Sequence, residues 1–173
     1  MNLSTLLLPE YDQEMATTRR TLERVPEDKL GWKPHEKSML LGMLANHLVD
    51  TAGWTRMTMT TDELDFAPAN GEGYKMPELT SRSEMLALFD KHVAEGREVL
   101  ASASDENLMA NWTLKGGGQE YFTMPRIGVI RTWVMNHMIH HRAQLGVYLR
   151  LNNIPVPGCY GPSADEQGVA AGG

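Results

Sequence analysis

The run Trp133-Val-Met-Asn-His-Met-Ile-His-His-Arg-Ala-Gln144 decides how the rest of the chain is read. It holds neither glycine nor proline, and its apolar residues recur at helical spacing. The pattern predicts a long helix from about Pro125 to Leu151, closed by Asn152-Asn153 ahead of Pro155. Residues four apart lie one above the other on a helix, so His137 and His141 present their rings from one face. Two imidazoles so placed reach one divalent cation at nitrogen–metal distances of about 2.0–2.1 Å. At about 100° per residue, Ile130, Val134, Leu145 and Tyr148 share their stripe, and Gln144 is placed to orient a ligand there. His140 falls on the flank, where it meets solvent or another subunit. Arg142 points away from the stripe and suits a salt bridge between helices or subunits.

Three further helical stretches precede this one. Leu8, Tyr11, Met15, Thr18, Leu22 and Val25 predict a helix from about Pro9 to Arg24, with Pro9 in its first turn and Leu3–Leu8 as a lead-in. After the interrupted connector Pro26–Pro34, Ser38 is the expected N-cap of a helix from Met39 to about Thr58. The apolar stripe of that helix is Leu40, Met43, Leu44, Leu48 and Trp54, and His47 falls inside it. A polar stretch with glycine and proline, Thr61–Thr80, reads as a long crossing connection. Ser81 or Ser83 then opens a helix whose face is Met85, Leu86, Phe89, Val93, Gly96 and Leu100. Between this helix and the last, Trp112-Thr-Leu-Lys, the glycines 116–118 and Gln119-Glu-Tyr-Phe-Thr suit a small hairpin. The expected fold is all-α: a four-helix bundle over residues 1–155 with a crossover between its second and third helices. A Gly-, Pro- and Ala-rich tail, 156–173, then lies across the surface or frays at its end.

If the stripes of the second and fourth helices face each other, His47 joins His137 and His141 near the middle of the bundle. Three protein ligands leave a coordination position open, as a catalytic cation requires. The residue pattern also allows a plainer reading, three hydrogen-bonded core histidines without metal. Against it, packing imidazoles together on an apolar stripe risks desolvation and like-charge repulsion. His92 borders the third helix's apolar face and is more readily a solvated residue than a fourth ligand. His35, between Pro34 and Glu36, belongs to a surface loop.

Other catalytic patterns fail. His137-Met-Ile-His-His141 lacks the glutamate that follows the first histidine in zinc peptidases, and no Glu-x-x-His pair supports a di-iron bundle. Gly71-Glu-Gly-Tyr74 is too weak for a phosphate loop. Cys159 has no neighbouring base in sequence and reads as a bystander thiol. The net charge of −6, without a basic cluster, argues against nucleic-acid binding. A single cysteine suits a reducing cytoplasm, and the N-terminus lacks the features of a signal peptide. No apolar run approaches the roughly 18–20 residues of a membrane span.

Three stretches are similar to the DinB/YfiT-like family of metal-dependent bundle proteins. Leu30-Gly-Trp-Lys-Pro-His-Glu-Lys-Ser38 resembles the family's connector before its second helix, and Leu44-Ala-Asn-His-Leu48 its first histidine segment. His137-Met-Ile-His-His-Arg-Ala-Gln-Leu-Gly-Val-Tyr-Leu-Arg-Leu151 is very close to its histidine–arginine–glutamine helix. The resemblance covers about Leu3 to Pro155. It implies a homodimeric four-helix bundle with zinc or nickel on His47, His137 and His141. It also implies thiol chemistry, since relatives include thiol-dependent S-transferases and a mycothiol-dependent isomerase.

On that basis the chain is expected to bind a divalent transition metal. It would use a low-molecular-weight thiol on a small electrophilic substrate, with Tyr11, Trp54 and Tyr148 as candidate pocket residues. Two other functions fit the same residues. One is a metal-dependent hydrolase, for which no carboxylate stands beside the histidines as an obvious general base and Asp50, near the His47 segment, is a weak candidate. The other is a non-enzymatic, stress-related metal- or ligand-binding bundle. No residue is assigned a catalytic role from the sequence.

Overall fold

The computed structural model describes residues 2–167. Three long helices, α1 (Leu3–Leu22), α2 (Leu41–Thr60) and α3 (Arg82–Ala101), pack with a composite fourth. That fourth helix begins as α5 (Arg126–Val129), passes through a π-helical stretch (Ile130–Asn136) and continues as α6 (His137–Leu151). A short α4 (Asp105–Met109) lies between α3 and the strands. Tyr11, Met15, Leu44, Leu48, Phe89, Ile130 and Leu145 fill the common core, each at most 1% exposed.

The ends of the helices follow local chemistry. α1 starts earlier than Pro9 because Asn2 caps it, accepting from the Thr5 amide at 3.0 Å. Leu3 also donates its amide to the Asp105 carboxylate at 2.7 Å. Pro9 therefore sits inside α1, where its missing N–H removes one ladder bond but leaves the helix continuous. Ser38 does not cap α2. The connector folds back, and the Trp32 and Leu30 carbonyls accept from the amides of Leu41 (2.8 Å) and Gly42 (2.9 Å). Backbone acceptors thus satisfy the first N–H groups of α2. A Cβ on Gly42 would lie 3.0 Å from the Leu30 Cβ, so glycine permits that approach. At α3, Ser81 and not Ser83 forms the cap, in a reciprocal capping box with Glu84.

The all-α expectation is overturned by a three-stranded sheet: β1 (Glu63–Asp65), β2 (Asn111–Gly116) and β3 (Gln119–Pro125), in the order β1-β2-β3. β2 and β3 pair antiparallel around Gly117 (φ 63°) and Gly118 (φ 78°), a turn whose successive positive φ values favour glycine. β1 comes from the crossover and pairs parallel to β2, with Glu63 opposite Thr113 and Asp65 opposite Lys115. Asp65 locks the two segments together, accepting from the amides of Gly117 (3.0 Å) and Gly118 (2.7 Å). Three residues are too few to show a strand's two-residue alternation, so β1 left no periodic signal. What recruits it is the apolar sheet face made by Leu64, Trp112, Leu114 and Phe122.

Two buried arginines fasten chain segments that would otherwise leave carbonyls unpaired. Arg126 donates to the Thr58 and Thr61 carbonyls at the end of α2, both at 3.0 Å, and to Asp62 at 2.7 Å. Arg142 does form a salt bridge between helices, but within the core. It pairs with Glu14 of α1 at 2.7 Å and also meets the Thr18 hydroxyl and the Tyr160 phenol. Tyr160 belongs to the tail, whose residues 156–167 lie across α1 and α6. Arg150 holds Asp165, and Arg20 reaches the Gly158 carbonyl. The remainder of the tail, 168–173, lies outside the described residues.

Candidate metal centre

The π-helical stretch fixes how the histidines of the last helix face their neighbours. A regular helix would place Ile130, Val134, His137 and His141 on one stripe, whereas i→i+5 winding shifts the phase ahead of His137. The buried line is Ile130, Val134, Met138, Leu145 and Leu149. His137 and His141 stand half-buried at its edge, turned toward α2. There they meet His47, also half-buried. The Nε2 atoms of His47 and His137 are 3.2 Å apart, and those of His137 and His141 are 2.7 Å apart. One ligand nitrogen from each residue lies within 4.8 Å of the others.

This donor set fits a metal ion better than it fits a metal-free hydrogen-bond network. A neutral imidazole nitrogen offers either one proton or one lone pair, so His137 Nε2 cannot complement both neighbours well. Among the described residues, His137 Nδ1 is buried without a well-formed hydrogen bond, with only a weak approach to the Trp133 carbonyl of the preceding turn. Burial, then the neighbouring imidazoles, lowers the His47 pKa to about 4. Burial foremost also lowers those of His137 and His141. Near neutral pH all three rings are uncharged, with lone pairs free to bind a cation. Gln144 lies beside the cluster: its side-chain oxygen is 2.9 Å from His141 Nδ1, and its nitrogen 3.1 Å from His140 Nε2. By accepting from Nδ1–H it fixes the tautomer that turns the Nε2 lone pair inward.

The depressed His47 pKa gives a signed pH dependence. Unfolded, this imidazole takes a proton near pH 6.5; folded, it does so near 4. Its contribution to stability is fully present above about 6.5 and is lost as pH falls toward 4. Urea unfolding of metal-free protein between pH 7 and 4 should therefore show a steeper loss than the variant His47→Gln. Equal slopes would contradict the assignment.

The other sequence candidates separate. Trp54 lies against the histidines, its ring 5.7 Å from His47 and 5.5 Å from His137. Tyr11 is fully buried and packs where Gly96 and Thr55 approach its hydroxyl. Tyr148 packs edge-on against Trp32 and donates to the Met39 carbonyl at 3.3 Å, away from the cluster. His92 contacts the Val49 carbonyl at 3.0 Å and takes no part, and His35 is exposed. Met43, expected on the α2 stripe, is 46% exposed.

Asp50 is buried and already engaged. It accepts from the Tyr74 hydroxyl at 2.5 Å and the Trp54 indole at 3.1 Å. Burial raises its pKa, against the lowering effect of those two donors. Tyr74, from the crossover, was not foreseen, because nothing in a loop's composition marks a residue that packs back on a helix.

Beside the cluster lies a cavity of about 320 Å³ between α2, the π-helical stretch and the inner face of the sheet. Its walls include Trp54 and Trp133, whose rings also flank His137, together with Leu64, Trp112, Leu114 and Phe122. The sheet, of which the sequence pattern predicts the β2–β3 hairpin but not β1, is one wall of it. Trp133 carried a signal, since it stands four residues before His137. Trp112 and Leu114 also carried one, as alternate residues of a strand.

The same architecture occurs in solved proteins. A DinB-like protein of Bacillus cereus ATCC 10987 superposes with a TM-score of 0.66 at 24% identity, covering 88% of this chain and 95% of that one. A DinB-like protein of Bacillus subtilis gives 0.64 at 16% identity, covering 87% and 95%. In sequence, the chain is 28% identical over 166 residues to the uncharacterised protein YrdA of Bacillus subtilis strain 168, covering 92% of this chain and 89% of YrdA. Residues 1–168 match the DinB family, so the sheet, the composite helix and the histidine cluster all fall within the match. The chain belongs to the DinB family.

Proposed function

We propose that the protein binds one divalent transition metal, zinc or nickel, through His47, His137 and His141. We further propose that it transfers a low-molecular-weight thiol to a small electrophile. The observation that carries this reading is the convergence of three imidazoles whose Nε2 atoms cannot satisfy one another. A divalent cation held there would keep a thiol deprotonated near neutral pH.

The chain's own residues supply the rest. Gln144 holds the His141 tautomer. Trp54 and Trp133 pack against His137 and form a wall shared with the apolar cavity. An electrophile seated in that cavity lies beside the cluster. The thiolate sulfur forms a bond to the electrophilic carbon, the leaving group departs with its electron pair, and the thiol proton passes to solvent. Hydrolysis is disfavoured because Asp50, the nearby carboxylate, is buried and occupied by Tyr74 and Trp54.

The test incubates zinc- or nickel-loaded protein with a panel of thiols, glutathione and cysteine among them, and an activated aryl chloride. Thioether formation is followed by mass spectrometry. Saturable product formation that disappears on chelation, while the protein stays folded, is expected. Product no faster than with the triple variant His47→Ala, His137→Ala, His141→Ala would overturn the reading.

A further inference from the structure

The cavity beside the histidines has a chemical character of its own. Its inner sheet wall is built by strand alternation: Trp112 and Leu114 project from one face of β2, and Leu64 and Phe122 flank Leu114 on either side. The helical wall is Trp54 and Trp133, and Phe122 stacks on Trp133 with ring centroids 5.0 Å apart and planes 14° from parallel. Aromatic rings thus border the space on both its sheet and its helical side. Among the described residues no lysine or arginine lines it, and the polar groups at its edge are Thr58, Tyr74 and the indoles. The Trp54 indole donates to Asp50 and the Trp112 indole to Thr61, so the donors of two of the three lining indoles are already used. The Tyr74 hydroxyl is likewise committed to Asp50.

We propose that this cavity binds an uncharged aromatic molecule of about two fused rings, held by stacking and apolar contact and selected against anions. Size supports the class. An apolar cavity of about 150 Å³ accommodates benzene, and the space here is about 320 Å³. Charge supports it too, because an anion entering would lose its hydration and find no cation on the walls. Aromatic walls favour planar guests through offset and edge-to-face contacts. That this molecule is the electrophile's class in the reaction above rests on that reading. Its binding does not, because none of the walls is a histidine.

The experiment uses metal-free, ¹⁵N-labelled protein titrated with 2-naphthol and, separately, with 2-naphthoate. Three of the four tryptophans, Trp54, Trp112 and Trp133, line the cavity, while Trp32 packs against Tyr148 outside it. The indole N–H signals of the first three should shift saturably with 2-naphthol, and that of Trp32 should stay in place. 2-Naphthoate should bind at least about tenfold more weakly, the cost of burying an unpaired carboxylate. Leu114→Trp, which fills the space, should abolish the shifts and leave metal uptake unchanged. Should that variant not fold, the wild-type titration decides alone. Absence of saturation, equal movement of Trp32, or equal affinity for the anion would overturn the proposal. A wild-type protein that bound 2-naphthol and no metal would sink the transferase reading and leave the cavity assignment standing.

Discussion

Replacing Arg142 by alanine should lower the folding free energy by about 3–5 kcal/mol, because it strands a buried carboxylate. The side chains of Arg142 and Glu14 are 2% and 6% exposed, and they meet at 2.7 Å. Arg142 also donates to the Glu14 carbonyl at 3.1 Å, the Thr18 hydroxyl at 3.2 Å and the Tyr160 phenol at 2.8 Å. Without the guanidinium, the Glu14 carboxylate keeps only the Tyr160 hydroxyl, at 3.1 Å. For a chain of this size the melting temperature would fall by roughly 10 °C. The double replacement Arg142→Met, Glu14→Met should recover most of that loss, since burying the ion pair costs nearly as much as its attraction returns. Urea denaturation of the single and double variants measures both. A single-variant loss below about 1 kcal/mol would show that the pair is not desolvated as its burial indicates.

His137→Ala should have the opposite balance, a large effect on metal binding and a small one on the metal-free fold. His137 Nε2 stands between the other two, 3.2 Å from His47 and 2.7 Å from His141, so its loss leaves two ligands on separate helices. Removing a group that merely orients a ligand weakens metal binding by about 10–100-fold, and removing a ligand should weaken it by at least about 100-fold. In the metal-free protein the same substitution deletes a buried, poorly bonded Nδ1 and relieves the crowding of three desolvated imidazoles. These gains offset lost packing, so the unfolding midpoint should move little. Calorimetric titration with zinc or nickel, beside urea unfolding of stripped protein, separates the two effects. Undiminished affinity would remove His137 from the site.

The parts of this protein that could be read in its sequence are those with a periodic signal. The long amphipathic stretches gave the helices, and the i, i+4 pair His137–His141, with His47 on a facing stripe, gave the cluster. The glycines 116–118 marked a turn that requires positive φ. What escaped has no such period. β1 is a three-residue strand in a loop, and it needs β2 already in place to pair with. The Leu30 and Trp32 carbonyls that start α2 act across a folded connector, so Ser38 looked like the better cap. The π-helical stretch changes the phase of the last helix, and a uniform 100° per residue placed His137 and His141 in the core instead of at its accessible edge. Tyr11 and Tyr148 were apolar-face aromatics indistinguishable by pattern from Trp54. Only tertiary packing puts Trp54 against the histidines.

The central claim is that His47, His137 and His141 together hold one metal ion. Elemental analysis of untagged protein, beside the variant with all three replaced by alanine, tests it most directly. About one zinc or nickel per chain in the wild type, and none in the folded variant, is the expected result. No metal in either protein after incubation with zinc and nickel would contradict it and leave three neutral histidines packed together without a ligand.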